Sequence, residues 1–380
     1  QMIKSYKIRL YPTKKQEQQV WQHICACRYI WNYMLSVQQE RHKNNENHLS
    51  AFSMMKLLTQ LKNDGEHEWL YEVSNASLQI TCQDLQNAYD GFFKKISGFP
   101  KFKSRKRSKP KFPIRGERFY FVDKYFVKIP KLGRIKYKTD FEFPIGSKNQ
   151  FINPRISYVN GKYMLSFGIE CENQASELTN ISMGIDLGVK ELAVVEFNGE
   201  QIVFHNINKS QKIRTLKKRM KYLQRSISRK YEKNRIGNKY CKTKNIEKQE
   251  DKLRSIYARI TNIRTNYINQ TTHKLISLLP MRVVMEDLNV SGLMKNRHLS
   301  GAIQEQCLSS FIRKIKYKCE WNGIGFVQAD RFFPSSKICS NCGCIKRNLR
   351  LSDRIYKCDE CGIIIDRDYN AAVNLSRYVA

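Results

Sequence analysis

The chain has 380 residues, of which 68 are Lys or Arg against 34 Asp or Glu, leaving a formal net charge of +34. An excess of that size points to a polyanion as partner, most simply nucleic acid, and disfavours a generally basic protein without one. The apolar fraction of 41% is that of a globular chain long enough for two or more cores, and no run of about 18 apolar residues offers a membrane helix.

The start lacks the apolar core of a signal peptide, so a cytoplasmic protein is expected. There the scattered Cys25, Cys27, Cys82, Cys171, Cys241, Cys307 and Cys319 read as free thiols. Tyr6, Ile8 and Leu10 alternate with Ser5, Lys7 and Arg9, which predicts a half-buried strand ending at Pro12. Thr13 and Gln16 form a capping box for a long helix with Val20, Trp21, Ile24, Ile30, Trp31 and Met34 on its apolar side. A second helix is expected near Phe52 to Leu61, and a third through Leu78, Cys82, Leu85, Tyr89 and Phe92, so residues 13 to 97 read as a helical bundle. Gln79, Gln83 and Asn87 follow one another at i, i+4 and i+8 on the third helix. Amides so placed can pair with adenine edges, or form an ordinary polar face.

Pro100 to Lys111 is a cationic run with two prolines, expected to be extended and self-repelling. Lys101, Lys103, Arg105 and Arg107 are candidate phosphate contacts, with Phe99, Phe102 and Phe112 interleaved; the plainer reading is a solvated linker. From Phe112 to Glu170, short strand-like pieces and turns such as Asn160-Gly161 predict a β-barrel that the first strand can join. From Ile181 the pattern becomes α/β. Strands are expected at Met183 to Leu187, Glu191 to Phe197 and Gln201 to Phe204, the last two joined by an Asn198-Gly199 hairpin. Two long basic helices follow, joined by a loop over 231 to 247. Lys217, Lys218, Lys221, Arg225 and Arg229 make the first of them a candidate nucleic-acid surface. Then come a strand at Arg282 to Glu286, a helix from about Ala302 to Glu320, a strand at Gly325 to Gln328 and a final helix starting near Asp368.

Two clusters carry chemistry. Cys339-x2-Cys342 and Cys358-x2-Cys361, fifteen residues apart, have the spacing of a four-thiolate Zn²⁺ site, with Cys344 leaving the first pair ambiguous. A ribbon that small has little apolar core, so the metal should hold it folded. The second cluster is three carboxylates. Asp186 lies inside the apolar strand of GIDLG, where Gly188 permits a close turn or ligand approach, and Glu286 ends the strand VVME. Burying either costs several kcal/mol without a partner, and the plainer readings are a turn aspartate and an ion pair. Asp368 could be only the N-cap of the last helix. Together the three can converge at one sheet edge, where hard oxygen ligands suit Mg²⁺ or Mn²⁺. Three strands, helices, strand, helix, strand, helix is the order of an RNase H-like sheet.

These motifs, with the opening YKIRLYPTKKQ, SLQITCQDLQNAYDGFFKK, GFPKFKSRKR, ADRFFPSSKICSNCG and DRDYNAAVNL, resemble the TnpB proteins of bacterial transposons almost end to end. The resemblance implies an RNA-guided DNA endonuclease similar to compact type V CRISPR effectors. It implies a wedge-like β-barrel (1-12 and 113-180), a helical recognition domain (13-112), a RuvC nuclease domain (181-335 and 363-380) and a zinc ribbon (336-362). By it Asp186, Glu286 and Asp368 are the RuvC metal ligands, and Asp366 is structural. The implied partners are a transposon-end guide RNA and double-stranded target DNA, bound by a monomeric protein. Arg367 either steadies a scissile phosphate or neutralises its acidic neighbours. GIDLG also resembles the phosphate loop of actin-like ATPases, but a second Gly-rich phosphate loop and an adenosine loop are missing. An RNA-guided repressor would be expected to have lost an acid; a protein-only transposase stays open.

Overall fold

The computed structural model describes residues 2–139, 141, 151–171, 177–350 and 353–379. Parts of the expected barrel, residues 140, 142–150 and 172–176, lie outside them. The chain divides into two compact units, Gln1–Glu172 and Asn173–Ala380. Among the described residues no helix is long and apolar enough to cross a membrane.

The first unit opens with strand β1 (Met2–Tyr11) and helices α1 (Lys14–Lys43), α2 (Ala51–Lys62) and α3 (Asn75–Phe93). The Thr13–Gln16 capping box is present, and Ile24, Ile30 and Met34 are buried against Met54, Leu58, Leu78 and Leu85. Six strands follow: β2 (Lys111–Pro113), β3 (Tyr120–Phe121), β4 (Phe126–Ile129), β5 (Gly133–Lys138), β6 (Ile152–Val159) and β7 (Lys162–Cys171). They form one antiparallel sheet with β1, in the order β2-β6-β7-β1-β5-β4-β3. The first strand therefore does join this sheet, at its centre. Strands β7 and β3 stand four places apart, about 19 Å in a flat sheet. Yet the rings of Phe167 and Phe121 on those two strands are 5.6 Å apart, and Phe151 packs against both. The sheet is therefore rolled around an aromatic core. It is not the closed barrel expected from the sequence. The described edges are β2 and β3, which do not pair, and at three and two residues they are too short to zip together.

The run from Pro100 to Lys111 is not the free, self-repelling segment its charge suggests. Asn32 exchanges two hydrogen bonds with the Lys103 backbone (2.9 and 2.7 Å), and Trp31 Nε1 donates to Lys101 O at 3.1 Å. Phe112 is buried in the core, whereas Phe99 and Phe102 are exposed.

The second unit begins with β8 (Ser182–Leu187), β9 (Glu191–Phe197) and β10 (Glu200–His205). Helix α4 (Gln211–Lys233), a small hairpin of β11 (Arg235–Ile236) and β12 (Lys239–Tyr240), and helix α5 (Lys244–Ile276) follow. The helices thus run into the expected loop from both sides. After β13 (Arg282–Glu286) come α6 (Val290–Leu293), α7 (Ser300–Gln306), α8 (Leu308–Trp321) and β14 (Gly325–Ala329). The single helix expected from Ala302 to Glu320 is broken at Cys307, whose φ of 56° is left-handed. The sheet order is β10-β9-β8-β13-β14, with β8, β9 and β10 antiparallel and β8, β13 and β14 parallel. One face buries Met183, Ile185, Val283 and Met285 against Leu275 of α5 and Phe311 and Ile315 of α8. The chain ends in the hairpin β15 (Ile355–Lys357) and β16 (Ile364–Asp366), which leads directly into α9 (Arg367–Ser376). Helix α9 covers the other face of the sheet, packing Leu375 on Val284.

Candidate functional site

Pleating decides which face of the sheet the acids share. Ile185 pairs with Met285 on the parallel strand, so Asp186 and Glu286 are the next residues along neighbouring strands, at their carboxyl ends. Both have the parity of Gly184 and Val284, the face that α9 covers. Gly184 sets how close the helix comes. A Cβ there would stand 1.9 Å from Ala372 O and 2.5 Å from Ser376 N, so only glycine lets the α9 backbone rest on β8. The N-terminus of α9 then stands over the strand ends, carrying Asp368.

The cap of α9 separates the two aspartates of D-R-D. Asp366, not Asp368, is the N-cap; its side chain accepts from the Asp368 and Tyr369 backbone N–H groups, both at 3.0 Å. The Asp368 carboxylate is left beside Arg367 Nη2 (3.3 Å) and Arg354 Nη1 (3.8 Å). Arg367, whose side chain also reaches Arg350 O at 3.4 Å, thus lies against Asp368. Glu286 accepts a hydrogen bond from Ser335 Oγ. Asp186 is held as an acid far above the usual carboxylate range, first by desolvation and then by the charges of Glu286 and Asp368. Three carboxylates therefore share one field, which Arg367 offsets only in part. They do not close into a single ligand sphere. Among the described residues the only group of three or more His, Cys, Asp or Glu whose ligand atoms all lie within 4.8 Å of one another is Cys339, Cys342, Cys358 and Cys361.

Those four cysteines settle the Cys344 ambiguity. Cys339 and Cys361 Sγ are 3.6 Å apart and Cys342 and Cys358 Sγ 3.5 Å, while Cys344 turns its carbonyl to the Cys339 N–H at 2.8 Å. Gly343 and Gly362, at φ 79° and 70°, turn the two knuckles. Four soft donors at that spacing fit a tetrahedral Zn²⁺. The fully buried Tyr356 fills the small core beside them.

The ribbon is tied to the acid site by residues the sequence reading passed over. Asn370 accepts from Ser340 N (2.9 Å) and donates to Ile338 O (2.7 Å), and Asn374 donates to Ser335 O and Ile338 O, both at 2.7 Å. Arg377 Nη1 donates to Ser340 O. Two asparagines four apart, flanking the apolar Ala371-Ala372-Val373 of α9, were the available signal. The Gly in the middle of the apolar strand of GIDLG signalled the close helix. Gly188, where a close turn is expected, would bring a Cβ no nearer than 3.3 Å to Glu191 O and is less constrained.

The candidate nucleic-acid residues divide. Gln83 and Asn87 are exposed and share a 3.4 Å hydrogen bond on one face of α3, with Gln79 half-buried. Lys101, Arg105 and Arg107 are exposed. Lys103 is not: its Nζ lies 3.3 Å from the Trp31 ring centroid, and burial pulls it down to about 8. Lys218, Lys221, Arg225 and Arg229 are exposed along α4, but Lys217 is half-buried and paired with Glu305 at 2.6 Å. Lys103 and Lys217 are thus engaged by Trp31 and Glu305 within the protein.

Three family profiles match along the chain: "Helix-turn-helix domain" of the OrfB IS605 group over residues 2–47, "Probable transposase" (OrfB IS605) over 166–297, and "Cas12f1-like, TNB domain" over 309–375. A Streptomyces pristinaespiralis protein named "Putative RNA-guided DNA endonuclease" is 28% identical over 99% of this chain and 89% of its own. Escherichia coli K12 "Putative RNA-guided DNA endonuclease InsQ" is 29% identical over 98% and 91%. "TnpB-like protein L770" of Acanthamoeba polyphaga mimivirus is 24% identical over 98% of this chain and 72% of its own. Together these matches support a TnpB-family protein. The third profile spans the four cysteines and most of α9 together, so the Cas12f1-like match covers the ribbon and the helix carrying Asp368 as one piece.

Proposed function

We propose that this TnpB-family chain is an RNA-guided DNA endonuclease of a transposon, cutting at an RNase H-like site of the RuvC type. One observation carries the proposal: Asp186, Glu286 and Asp368 are brought to one edge of a sheet of three antiparallel and two parallel strands, where Asp186 is strongly destabilised as an anion. Such a pocket gains most from a divalent cation, which reverses the penalty on ionised carboxylates. Hard oxygen donors fit Mg²⁺ or Mn²⁺, and Asp186, Glu286 and Asp368 would hold it. Held there, such an ion would supply activation of a water and screening of the phosphodiester's developing charge.

This chain's own groups do the rest. Gly184 seats α9, so Asp368 is held over the strand ends by backbone contact. Asp366 spends its side chain on the helix cap, leaving Asp368 available as a ligand. Arg367 and Arg354 temper the negative field without closing it. The exposed cations of α4 and of the Lys101–Arg107 turn supply phosphate contacts, and Gln79, Gln83 and Asn87 the base-edge contacts beside the target. A guide RNA pairs with the target strand while the protein grips the duplex by its backbone. Residues 1-12 and 113-180 serve as the wedge, 13-112 as the recognition domain, 181-335 and 363-380 as the nuclease and 336-362 as the ribbon, in a monomeric ribonucleoprotein.

The test is target binding and Mg²⁺-dependent strand cleavage, measured side by side on guide-loaded complexes. Asp186→Ala, Glu286→Ala and Asp368→Ala should each bind target as the parent does and fail to cut. Parent-like cutting by all three would remove the site from these acids. Cutting that persists without a guide would favour a protein-only transposase.

A further inference from the structure

Ser335 is 2% exposed, in the segment between β14 and the first cysteine knuckle. Its Oγ donates to Glu286 Oε1 across 49 positions of sequence. Its carbonyl is fixed separately, by Asn374 Nδ2 at 2.7 Å, and its N–H donates to Phe333 O at 2.8 Å. The same segment is pinned at its other end, where Arg331 pairs with Asp287 at 2.6 Å. A serine free to rotate on a loop would be an ordinary polar contact. Here the backbone on both sides of the hydroxyl is held by groups next to the acid site, Asn374 on the helix that carries Asp368 and Asp287 next to Glu286.

The geometry points to Ser335 as a positioning residue for Glu286. The hydroxyl engages one carboxylate oxygen and fixes the χ angles of a side chain with three of them. The other oxygen, Oε2, is then presented to a divalent metal in a single orientation. Donors behind metal-binding carboxylates typically contribute ~10- to 100-fold in metal affinity, because an unsteadied carboxylate must be ordered when the metal arrives. The inference rests on the nuclease reading above, since it assumes that Glu286 is a metal ligand. The competing role is structural: a buried hydroxyl finding the nearest acceptor.

The two roles separate in Mn²⁺ binding by the full, zinc-loaded chain, read by electron paramagnetic resonance of the free ion. Parent, Ser335→Ala, Ser335→Thr and Asp186→Ala are compared, with zinc content and urea midpoint recorded for each. Ser335→Ala should bind Mn²⁺ about tenfold more weakly while retaining its zinc and its midpoint. Ser335→Thr keeps the hydroxyl and should return towards the parent affinity. In guide-dependent cleavage, Ser335→Ala should raise the half-saturating Mg²⁺ concentration by the same factor, with the rate recovering at saturating Mg²⁺. Parent-like Mn²⁺ affinity in Ser335→Ala overturns the inference. So does a loss of cleavage that no Mg²⁺ concentration recovers, or a loss of affinity only in step with lost zinc. Should the added methyl of Ser335→Thr cost that variant its zinc, the Mg²⁺ dependence of Ser335→Ala decides alone. Failure of the nuclease reading has a different signature: Asp186→Ala then binds Mn²⁺ and cuts as the parent does.

Discussion

Replacing Gly184 by Ala should cripple the site without touching an acid. The added Cβ would stand 1.9 Å from Ala372 O, whereas real Cβ contacts essentially never fall below 3.0 Å. The obstacle is backbone, so no side chain can swing away; α9 must retreat by at least about 1.1 Å or β8 must bend. Overpacking of this kind costs roughly 1–3 kcal/mol, and a clash with backbone in a tight helix–strand contact belongs at the upper end. Catalysis should suffer more than stability. Asp368 rides on the displaced helix, and a misplacement of about 1 Å can cost ~100-fold in rate. The assay is guide-dependent cleavage under conditions where urea titration shows the variant fully folded, with Gly188→Ala as control. Gly188, where an added Cβ would stand 3.3 Å from Glu191 O, should lose far less. A Gly184→Ala protein that cuts and unfolds like the parent, or a Gly188→Ala protein that fares worse, refutes the role given to this contact.

Other perturbations separate parts of the machine. Cys339→Ser or Cys361→Ser should lower bound zinc, measured by elemental analysis, while Cys344→Ser leaves about one Zn per chain. Asp366→Ala should remove the α9 cap at a cost of about 1 kcal/mol, seen as a shifted urea midpoint, and retain substantial cleavage; the reverse pattern for Asp366 and Asp368 would exchange their roles. His23 is buried with Nδ1 donating to Gln19 O and Nε2 accepting from Ser74 N, and burial pulls its pKa below the ordinary value. A depressed histidine contributes stability that is present above its unfolded pKa near 6.5 and is lost as pH falls from there towards the folded value. The urea midpoint of the parent should therefore fall through that window more than that of His23→Gln, and parallel curves for the two would place the pH dependence elsewhere.

What the sequence disclosed follows from how local each signal is. The Thr13–Gln16 box, the alternation in β1 and the strand at Arg282–Glu286 were legible because propensity and period act over a few neighbours. The convergence of the three acids and the clustering of the four cysteines were legible because each residue is costly or unusual where it stands. The open edge of the rolled sheet was not, since closure depends on whether β2 and β3 are long enough to meet. Nor was the break at Cys307, a left-handed residue inside an otherwise helical pattern. Composition also hid the difference between a cation that faces solvent and one the fold has taken, as Lys103 over Trp31 and Lys217 on Glu305 show.

The residues that arrange the site are those least visible in one dimension. Gly184, Ser335, Asn370 and Asn374 have no charge, and three of them could pass for unremarkable polar positions. Each acts by touching the backbone or side chain of a segment remote in sequence. Gly184 admits α9 to β8, Asn370 and Asn374 bind α9 to the ribbon, and Ser335 brings the ribbon's entry to Glu286. The chain of contacts from the cysteines to the acids is therefore continuous, through a helix whose first turn carries Asp368. A zinc ribbon with almost no core of its own, placed next to three carboxylates proposed to hold a divalent cation, is then better understood as part of that site's scaffold than as a separate module. On that view, stripping zinc with a chelator should weaken Mn²⁺ binding at the acids even though no acid is touched. Parent-like Mn²⁺ affinity in the zinc-free protein would show that the ribbon and the site are merely adjacent.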